Sequence, residues 1–170
     1  RKLIYSRMPE TDEFKYDICI IGGAGHVGLP LAVAFAAAGA KTVILDINEK
    51  GLREIMNGKF PFKEVQGAEK LQEALTKNNL YVSTDPVAIS QSKQVIMVIG
   101  TPIDEYLNPN FLGIIKALDN YFDYFRDEQI LILRSTVYPG TSKRVQNYFK
   151  DKGKNIRVAF CPERIVEGKA

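Results

Sequence analysis

The stretch from residue 16 to residue 46 constrains the fold of this chain more than any other part. It carries an apolar run of strand length, a G-x-G-x-x-G pattern, an Ala- and Leu-rich segment that favours a helix, and a second apolar run ending in an acid. These features occupy residues 16–21, 23–28, 29–38 and 42–46. Gly39 stands where a glycine commonly ends a helix. The order predicts a β-α-β unit with parallel strands.

The glycine spacing indicates a site for the pyrophosphate of a dinucleotide. Gly23 permits the tight turn out of the strand, Gly25 lets the backbone approach the phosphates, and Gly28 lets the helix pack close to the strand. The start of the helix presents free N–H groups and a partial positive charge. Asp46 follows at about the distance where a carboxylate accepts hydrogen bonds from the adenosine ribose. The alternative is a glycine-rich turn that only packs the unit.

The residues around Asp46 favour NAD over NADP. No arginine follows Asp46 directly, and a carboxylate at this position repels a 2′-phosphate. Asn48 and Lys50 come next on the chain, within reach of the ribose edge. The sequence therefore predicts NAD as the cofactor.

Strand-like and helix-like patterns alternate along the rest of the chain. Further helices are predicted at 51–57, 68–77, 110–125 and 141–152, and further strands at 80–82, 95–99, 130–133 and 156–160. Asp85 is predicted to cap a helix whose first residue is Pro86. Thr141 is predicted to cap the last helix. The alternation predicts an α/β, Rossmann-type fold: a doubly wound, mainly parallel six-stranded sheet with helices on both faces.

Polar residues follow several of the predicted strands, where ligands of doubly wound sheets bind. Thr101 follows the run at 95–99, Thr136 the run at 130–133, and Glu163 the run at 156–160. By topology alone, Thr101 is expected near the cofactor. For Thr136 the alternative is a hydroxyl that stabilises a turn, and for Glu163 a solvated or capping carboxylate.

Length and composition fit one domain at 15–170 preceded by an arm at 1–14. Of 170 residues, 45% are hydrophobic and 25% charged, which is ordinary for a globular fold. A net charge of +3 without a basic run interleaved with aromatics argues against nucleic acid as a partner. No apolar run approaches the roughly 20 residues of a membrane span. Cys19 and Cys161 both lie in apolar runs, which predicts buried free thiols in a reducing cytoplasm.

Four motifs, in order, carry a resemblance to a known family. They are G-H-V-G-L-P-L-A at 25–32, G-T-P at 100–102, S-T-V with P-G-T at 135–141, and C-P-E-R-I-V-E-G at 161–168. Over 16–170 the chain resembles the N-terminal NAD-binding domain of the nucleotide-sugar 6-dehydrogenases, which act on UDP-glucose or UDP-N-acetylmannosamine. The resemblance implies oxidation of the C6 alcohol of a UDP-sugar to a carboxylate, with NAD as hydride acceptor, for polysaccharide precursors.

The resemblance also implies roles for individual residues. It implies cofactor contacts for Gly23, Gly25, His26, Val27, Gly28, Asp46, Lys50, Thr84, Thr101 and Thr136. It places Thr136, Glu163 and Glu167 at the reaction centre, and Glu163, Arg164 and Ile165 against the sugar nucleotide. Pro162 and Arg164 resemble the enzymes for N-acetylated hexosamines more than those for glucose. For Arg164 taken alone, the alternative is a surface salt bridge.

The chain departs from the family at three points. His26 stands where the family usually has an aromatic residue, and it is expected to pack over the cofactor. Cys161 does not correspond to the family's cysteine nucleophile. That nucleophile, the catalytic lysine, the central helix that commonly forms a homodimer and the UDP-binding domain have no counterpart here, so the 170 residues are expected to bind NAD without turnover.

Two other functions stay open from the sequence. One is a β-hydroxyacid dehydrogenase, which shares the glycine pattern but not the run at 161–164. The other is a non-enzymatic module that senses NAD(H) for a partner, against which the polar residues after the later strands argue.

Overall fold

The computed structural model describes residues 14–62, 66–98 and 111–162. The predicted arm at 1–14 lies almost wholly outside these ranges. Five predicted site residues also lie outside them: Thr101, Glu163, Arg164, Ile165 and Glu167.

Six parallel strands form one sheet in the order β3-β2-β1-β4-β5-β6. They are β1 (Tyr16–Ile21), β2 (Thr42–Leu45), β3 (Leu80–Ser83), β4 (Ser92–Met97), β5 (Ile130–Leu133) and β6 (Arg157–Phe160). The strand order reverses between β1 and β4, which confirms the doubly wound topology and puts a crevice at their carboxyl ends.

Helices cover both faces of this sheet. They are α1 (Gly28–Ala37), α2 (Glu49–Met56), α3 (Gly67–Thr76), α4 (Val87–Ser90), α5 (Phe111–Asp119) and α6 (Thr141–Asp151), with a 3₁₀ turn at Phe122–Tyr124. Within the described ranges, none of the helices is long and apolar enough to cross a membrane.

The pleat of the central strand β1 divides the core into two. Ile18 and Ile20 pack with α1, α2 and α3, on what we call the α1–α3 face. Cys19 and Ile21 point the other way and pack with α4, α5 and α6, on the α5–α6 face. Because β1 has helices on both sides, it is apolar at nearly every position, as parallel strands are.

The predicted single helix at 110–125 is wrong in its second half. The α-helix ends at Asp119, and a 3₁₀ turn follows at Phe122–Tyr124. Phe122 and Phe125 both pack on the buried ring of Phe149, with centroid distances of 5.6 and 5.0 Å. Lys154 donates hydrogen bonds to the carbonyl oxygens at the end of this turn. The tighter turn places both rings on one partner, Phe149, although the α-helix has already ended at Asp119.

Two further predictions fail near the end of the chain. Cys161 is exposed, whereas Cys19 is buried as expected. The reason is that β6 forms the edge of the sheet and most of its residues are exposed. The cap of α6 is Gly140, at φ 85°, while Thr141 is the first helical residue and is buried.

Candidate functional site

The sheet ladder continues beyond the strands and fixes the residues at their carboxyl ends. The amide of Gly22, just after β1, donates to the carbonyl oxygen of Leu45 at 2.8 Å. The amide of Val98, just after β4, donates to the carbonyl oxygen of Ile21 at 3.0 Å. The ends of β2, β1 and β4 are therefore held side by side, and Asp46 follows β2 at the same edge.

The three glycines of the G-x-G-x-x-G pattern, Gly23, Gly25 and Gly28, are required for different reasons. A Cβ on Gly28 would lie 2.5 Å from the Cα of Gly23, and one on Gly23 would lie 2.9 Å from the carbonyl oxygen of Ile20. Packing forbids side chains at both positions. A Cβ on Gly25 would meet nothing closer than 3.6 Å, and Gly25 is exposed. Its outer side is open, so the backbone can be approached there, as a pyrophosphate requires.

Helix α1 begins without a side chain that caps it. Its N-cap is Val27, no side chain accepts from its first amides, and its first turn has no acidic residue. The first turn closes with the amide of Leu29 donating to Gly25 at 3.0 Å. The amides of residues 26–28 come before this first helical hydrogen bond along the chain. They therefore lie at the positive end of the helix dipole, where an anion binds.

The carboxylate of Asp46 joins the glycine loop to the start of α2. Its Oδ2 accepts a hydrogen bond from the amide of Ala24 and its Oδ1 one from the amide of Asn48, both at 3.0 Å. Each carboxylate oxygen can accept a further hydrogen bond. Asp46 can therefore hold the loop and still accept from two ribose hydroxyls.

A cavity of about 460 Å³ opens over this edge of the sheet. Its size is within the usual range for ligand sites. Nine of the described residues line it: Gly22, Ala24, Gly25, Leu45, Asp46, Ile47, Asn48, Val98 and Tyr121. The loop, the acid and the apolar walls are thus brought together from both halves of the sheet.

The cavity contains some of the predicted cofactor residues and not others. Gly25 and Asp46 line it, with Gly23 and Gly28 buried directly behind. His26 and Val27 are exposed beside it, on the loop. The described residues Lys50, Thr84 and Thr136 are on the same edge of the molecule but do not line this cavity. Their contacts with the cofactor stay predictions.

Sequence reasoning named three of the nine lining residues, Gly25, Asp46 and Asn48, and missed the other six, among them Ile47 and Tyr121. Ile47 is 88% exposed although it is a large apolar residue, and its place directly after Asp46 was a visible signal. Tyr121 reaches the cavity from the turn after α5. Nothing in the sequence spacing indicates this, because the turn itself was predicted as helix.

His26 packs on the connection between α2 and α3. Its ring stacks on that of Phe62 with a centroid distance of 4.0 Å and an angle of 25°, and Phe60 meets Phe62 edge-on at 4.9 Å. The single histidine of the chain therefore ties the glycine loop to this connection.

Burial and charge shift the pKa of two groups near the cavity. Burial raises the pKa of the Cys19 thiol to about 12. Burial, with the nearby charges of Asp46 and Cys19, raises the pKa of the Tyr121 hydroxyl. Both groups are therefore neutral near pH 7. Within the described ranges, no group of three or more His, Cys, Asp or Glu is arranged to hold a metal ion.

These features define a Rossmann-type domain that binds a nicotinamide dinucleotide: the strand order, the glycine loop and the acid after β2. The chain belongs to the UDP-glucose/GDP-mannose dehydrogenase family, whose NAD-binding domain matches residues 16–170. The cofactor of this domain is NAD.

Known members of the family are similar along most of the chain. It is 32% identical over 171 residues to a UDP-N-acetyl-D-mannosamine dehydrogenase of Methanococcus aeolicus, covering 98% of this chain and 37% of that protein. It is 29% identical over 152 residues to UDP-glucose 6-dehydrogenase TuaD of Bacillus subtilis, covering 87% of this chain and 33% of that one. The chain thus spans about a third of the length of these relatives.

Solved structures agree with this assignment. The UDP-N-acetyl-mannosamine dehydrogenase Cap5O from Staphylococcus aureus superimposes with a TM-score of 0.78 at 28% identity, over 89% of this chain and 38% of that one. A 3-hydroxyisobutyrate dehydrogenase from Mycobacterium tuberculosis gives a TM-score of 0.58 at 15% identity, over 86% of this chain and 40% of that one, which shows a shared fold alone.

Proposed function

We propose that the 170 residues form the cofactor-binding part of an NAD-dependent UDP-sugar 6-dehydrogenase. The complete enzyme would oxidise the C6 alcohol of a UDP-hexose to the uronic acid, as a precursor for polysaccharide. The observation that carries this proposal is the cavity in which Gly25 and Asp46 meet, in a chain of this family.

The proposed substrate is a UDP-N-acetylhexosamine. Two observations favour it over UDP-glucose. Pro162 and Arg164 resemble the residues of the N-acetylhexosamine enzymes more than those of the glucose enzymes. A relative at 32% identity is named for UDP-N-acetyl-D-mannosamine. Glu163, Arg164 and Ile165 are the proposed contacts with the sugar nucleotide.

The cofactor is proposed to bind across the glycine loop. Amides of residues 25–28 would hold the pyrophosphate, with His26 and Val27 beside it, and Asp46 the adenosine ribose. Lys50 is proposed at the ribose, and Thr84, Thr101 and Thr136 along the path to the nicotinamide. NAD, when bound, accepts a hydride from C6, and two successive transfers, to two molecules of NAD, take the alcohol to the carboxylate level. The charge of Asp46 would exclude the 2′-phosphate of NADP.

Proton transfer is proposed for the carboxylates that follow β6. Oxidation of the alcohol also releases a proton, and hydrolysis of an enzyme-bound thioester needs an activated water. Glu163 and Glu167 are proposed for these steps, with Thr136 near the reacting carbon. The cysteine that would carry the thioester belongs to a motif without a counterpart here.

The complete enzyme is proposed to be a cytoplasmic homodimer. The resemblance implies dimerisation through a central helix. Two free cysteines, one of them exposed, fit a reducing compartment.

The first test follows NADH absorbance of the complete gene product. It is offered UDP-glucose, UDP-N-acetylglucosamine, UDP-N-acetylgalactosamine and UDP-N-acetylmannosamine, each with NAD and then NADP. Turnover of one N-acetylated sugar with NAD is the expected result. Turnover of UDP-glucose alone would keep the reaction and discard the argument from Arg164. Binding of NAD without turnover of any of the four would move the assignment to another dehydrogenase or a sensor.

A second test uses the 170-residue chain with the same assay. It should bind NAD and produce no NADH from any UDP-sugar, because the UDP-binding domain, the catalytic lysine and the nucleophile that the resemblance implies have no counterpart in these 170 residues. NADH production by this chain would disprove the need for the missing motif.

A further inference from the structure

We propose that Tyr121 supplies the aromatic face on which the adenine base of the cofactor stacks. The inference rests on the proposed placement of the adenosine ribose at Asp46. It adds a residue that neither the glycine pattern nor the four family motifs contain.

The backbone holds Tyr121 firmly in place. Its amide donates to the carbonyl oxygen of Leu118 at 3.0 Å, and its carbonyl oxygen accepts from the amide of Tyr124 at 3.1 Å. The residue therefore stands in a closed turn between α5 and the 3₁₀ turn. Such a turn can present a side chain at a fixed position without an adjustment on binding.

Tyr121 differs from the other rings of its segment. Phe122 and Phe125 pack on Phe149, and Phe122 also meets Tyr148 at 5.8 Å. Those rings are already packed against other rings in the α5–α6 face. Among the ring pairs found in the described part of the chain, none includes Tyr121. Its ring is half-buried against that face and its remaining surface lines the cavity.

The chemistry of the cavity beside Asp46 suits the flat aromatic faces of a base. Leu45, Ile47 and Val98 line it together with Tyr121, and Ile47 leaves 88% of its surface exposed. A large apolar side chain so exposed at a ligand cavity gains when an apolar partner covers it. An aromatic ring and an aliphatic side chain are common partners of a purine, and stacking on the ring tolerates small changes of angle.

Tyr121 is also close to the ribose position. The charge of Asp46 contributes, after burial, to raising the pKa of the Tyr121 hydroxyl, so the phenol lies within electrostatic reach of the carboxylate. The base is bonded to the ribose carbon next to the one that bears the 2′-hydroxyl. A ribose whose hydroxyls meet Asp46 therefore has its base in the same cavity.

The experiment compares ring and bulk at position 121 in the 170-residue chain. Tyr121→Phe keeps the ring, and Tyr121→Leu keeps an apolar side chain without the ring. Tyr124→Leu makes the same change three residues away, at a described residue that does not line the cavity. Calorimetry measures the dissociation constants of AMP, which has the base, and of inorganic pyrophosphate, which does not.

The dissociation constant of AMP for Tyr121→Phe should lie within about twofold of the wild-type value. For Tyr121→Leu it should be about tenfold higher, since an aromatic stack on a base is worth about 1–3 kcal/mol. Pyrophosphate should bind all four proteins alike, which a general disturbance of the site would not allow. Nuclear Overhauser effects should join adenine H2 or H8 to the ring protons of Tyr121.

Two outcomes would overturn the proposal. One is AMP bound as tightly by Tyr121→Leu as by the wild type. The other is Overhauser contacts from adenine to a ring other than Tyr121, a measurement that decides the matter even if Tyr121→Leu fails to fold. Binding of NAD that depends on Asp46 but not on Tyr121 would refute this inference alone. A wild-type chain that binds neither NAD nor AMP would refute the proposed cofactor site as well.

Discussion

The two carboxylate oxygens of Asp46 accept from the amides of Ala24 and Asn48, so this residue shapes the site that it is proposed to fill. From its spacing after the glycine pattern, Asp46 was predicted to accept hydrogen bonds from the ribose. The sequence did not predict the contact with Ala24, because the pattern describes spacing along the chain and not which amide faces a carboxylate. A structural role and the proposed ligand-binding role therefore fall on one side chain.

Replacing Asp46 by Asn should weaken NAD binding by about tenfold or more, since hydrogen bonds to charged groups are worth about 1.5–3 kcal/mol. An amide has only one acceptor oxygen, so its NH₂ group would face either the amide of Ala24 or that of Asn48. The preference for NAD over NADP should also narrow, because the charge that repels a 2′-phosphate is gone. Calorimetry with both cofactors measures this.

Asp17→Asn is the matched control. Its Oδ2 also accepts from a backbone amide, that of Lys41, at 2.8 Å, but near the start of β1 and away from the cavity. This variant should keep the affinity for NAD. Equal NAD affinities for Asp46→Asn and the wild type would show that the carboxylate is not a cofactor ligand.

The two cysteines should react at very different rates with a thiol reagent at about pH 8. Cys161 is exposed, and Cys19 is buried with a pKa raised to about 12, so almost no reactive thiolate forms at Cys19. One thiol should react within seconds to minutes and the second only after unfolding in denaturant. A Cys161→Ser variant should lose the fast phase; a fast phase that survived would place Cys19 within reach of solvent.

The strands and helices were predicted well where periodicity and glycine decide them. β1, β2 and β5 begin and end as predicted, and α1 and α3 are displaced by a single residue at each end. The segment after α5 was mispredicted because long-range packing on Phe149 sets its turn. Because this segment was predicted as helix, Tyr121 was not predicted as a residue of the candidate site.

Gln129 shows how such irregular segments are secured. It is 1% exposed, its Nε2 donates to the carbonyl oxygens of Ile89 and Ser92 at 2.8 and 2.5 Å, and its Oε1 accepts from the amide of Arg126 at 2.7 Å. One side chain thus joins the end of α4, the start of β4 and the turn before β5. No periodic pattern indicates a buried amide of this kind.

Gln129→Ala should lower the free energy of unfolding by about 2–4 kcal/mol, because it leaves buried backbone groups without their partner. Urea denaturation of the 170-residue chain measures the change. Gln146→Ala, at an exposed position of α6, is the control and should change stability by less than about 0.5 kcal/mol. Similar stabilities for the two variants would mean that water replaces the lost hydrogen bonds of Gln129.

The cavity joins the two halves of the molecule. The glycine loop leads into α1, which packs on the α1–α3 face, whereas Tyr121 is anchored in the α5–α6 face. β1 lies between them and contributes to both cores. The fold class followed from the sequence because each β-α-β unit is local. The strand order and the walls of the cavity did not, since they bring together distant segments.

A ligand that contacts both halves should stabilise the whole domain against heat. At about 100 times its dissociation constant, a ligand adds about 2.7 kcal/mol to the free energy of unfolding. For a domain of 170 residues this corresponds to a rise in Tm of about 5–10 °C. NAD should produce this shift in the 170-residue chain, and NADP at the same concentration a much smaller one, because Asp46 disfavours its 2′-phosphate. In the Asp46→Asn variant, the rises in Tm caused by NAD and by NADP should be similar. Equal shifts for NAD and NADP with the wild-type chain would contradict the assignment of Asp46 as the residue that selects the cofactor.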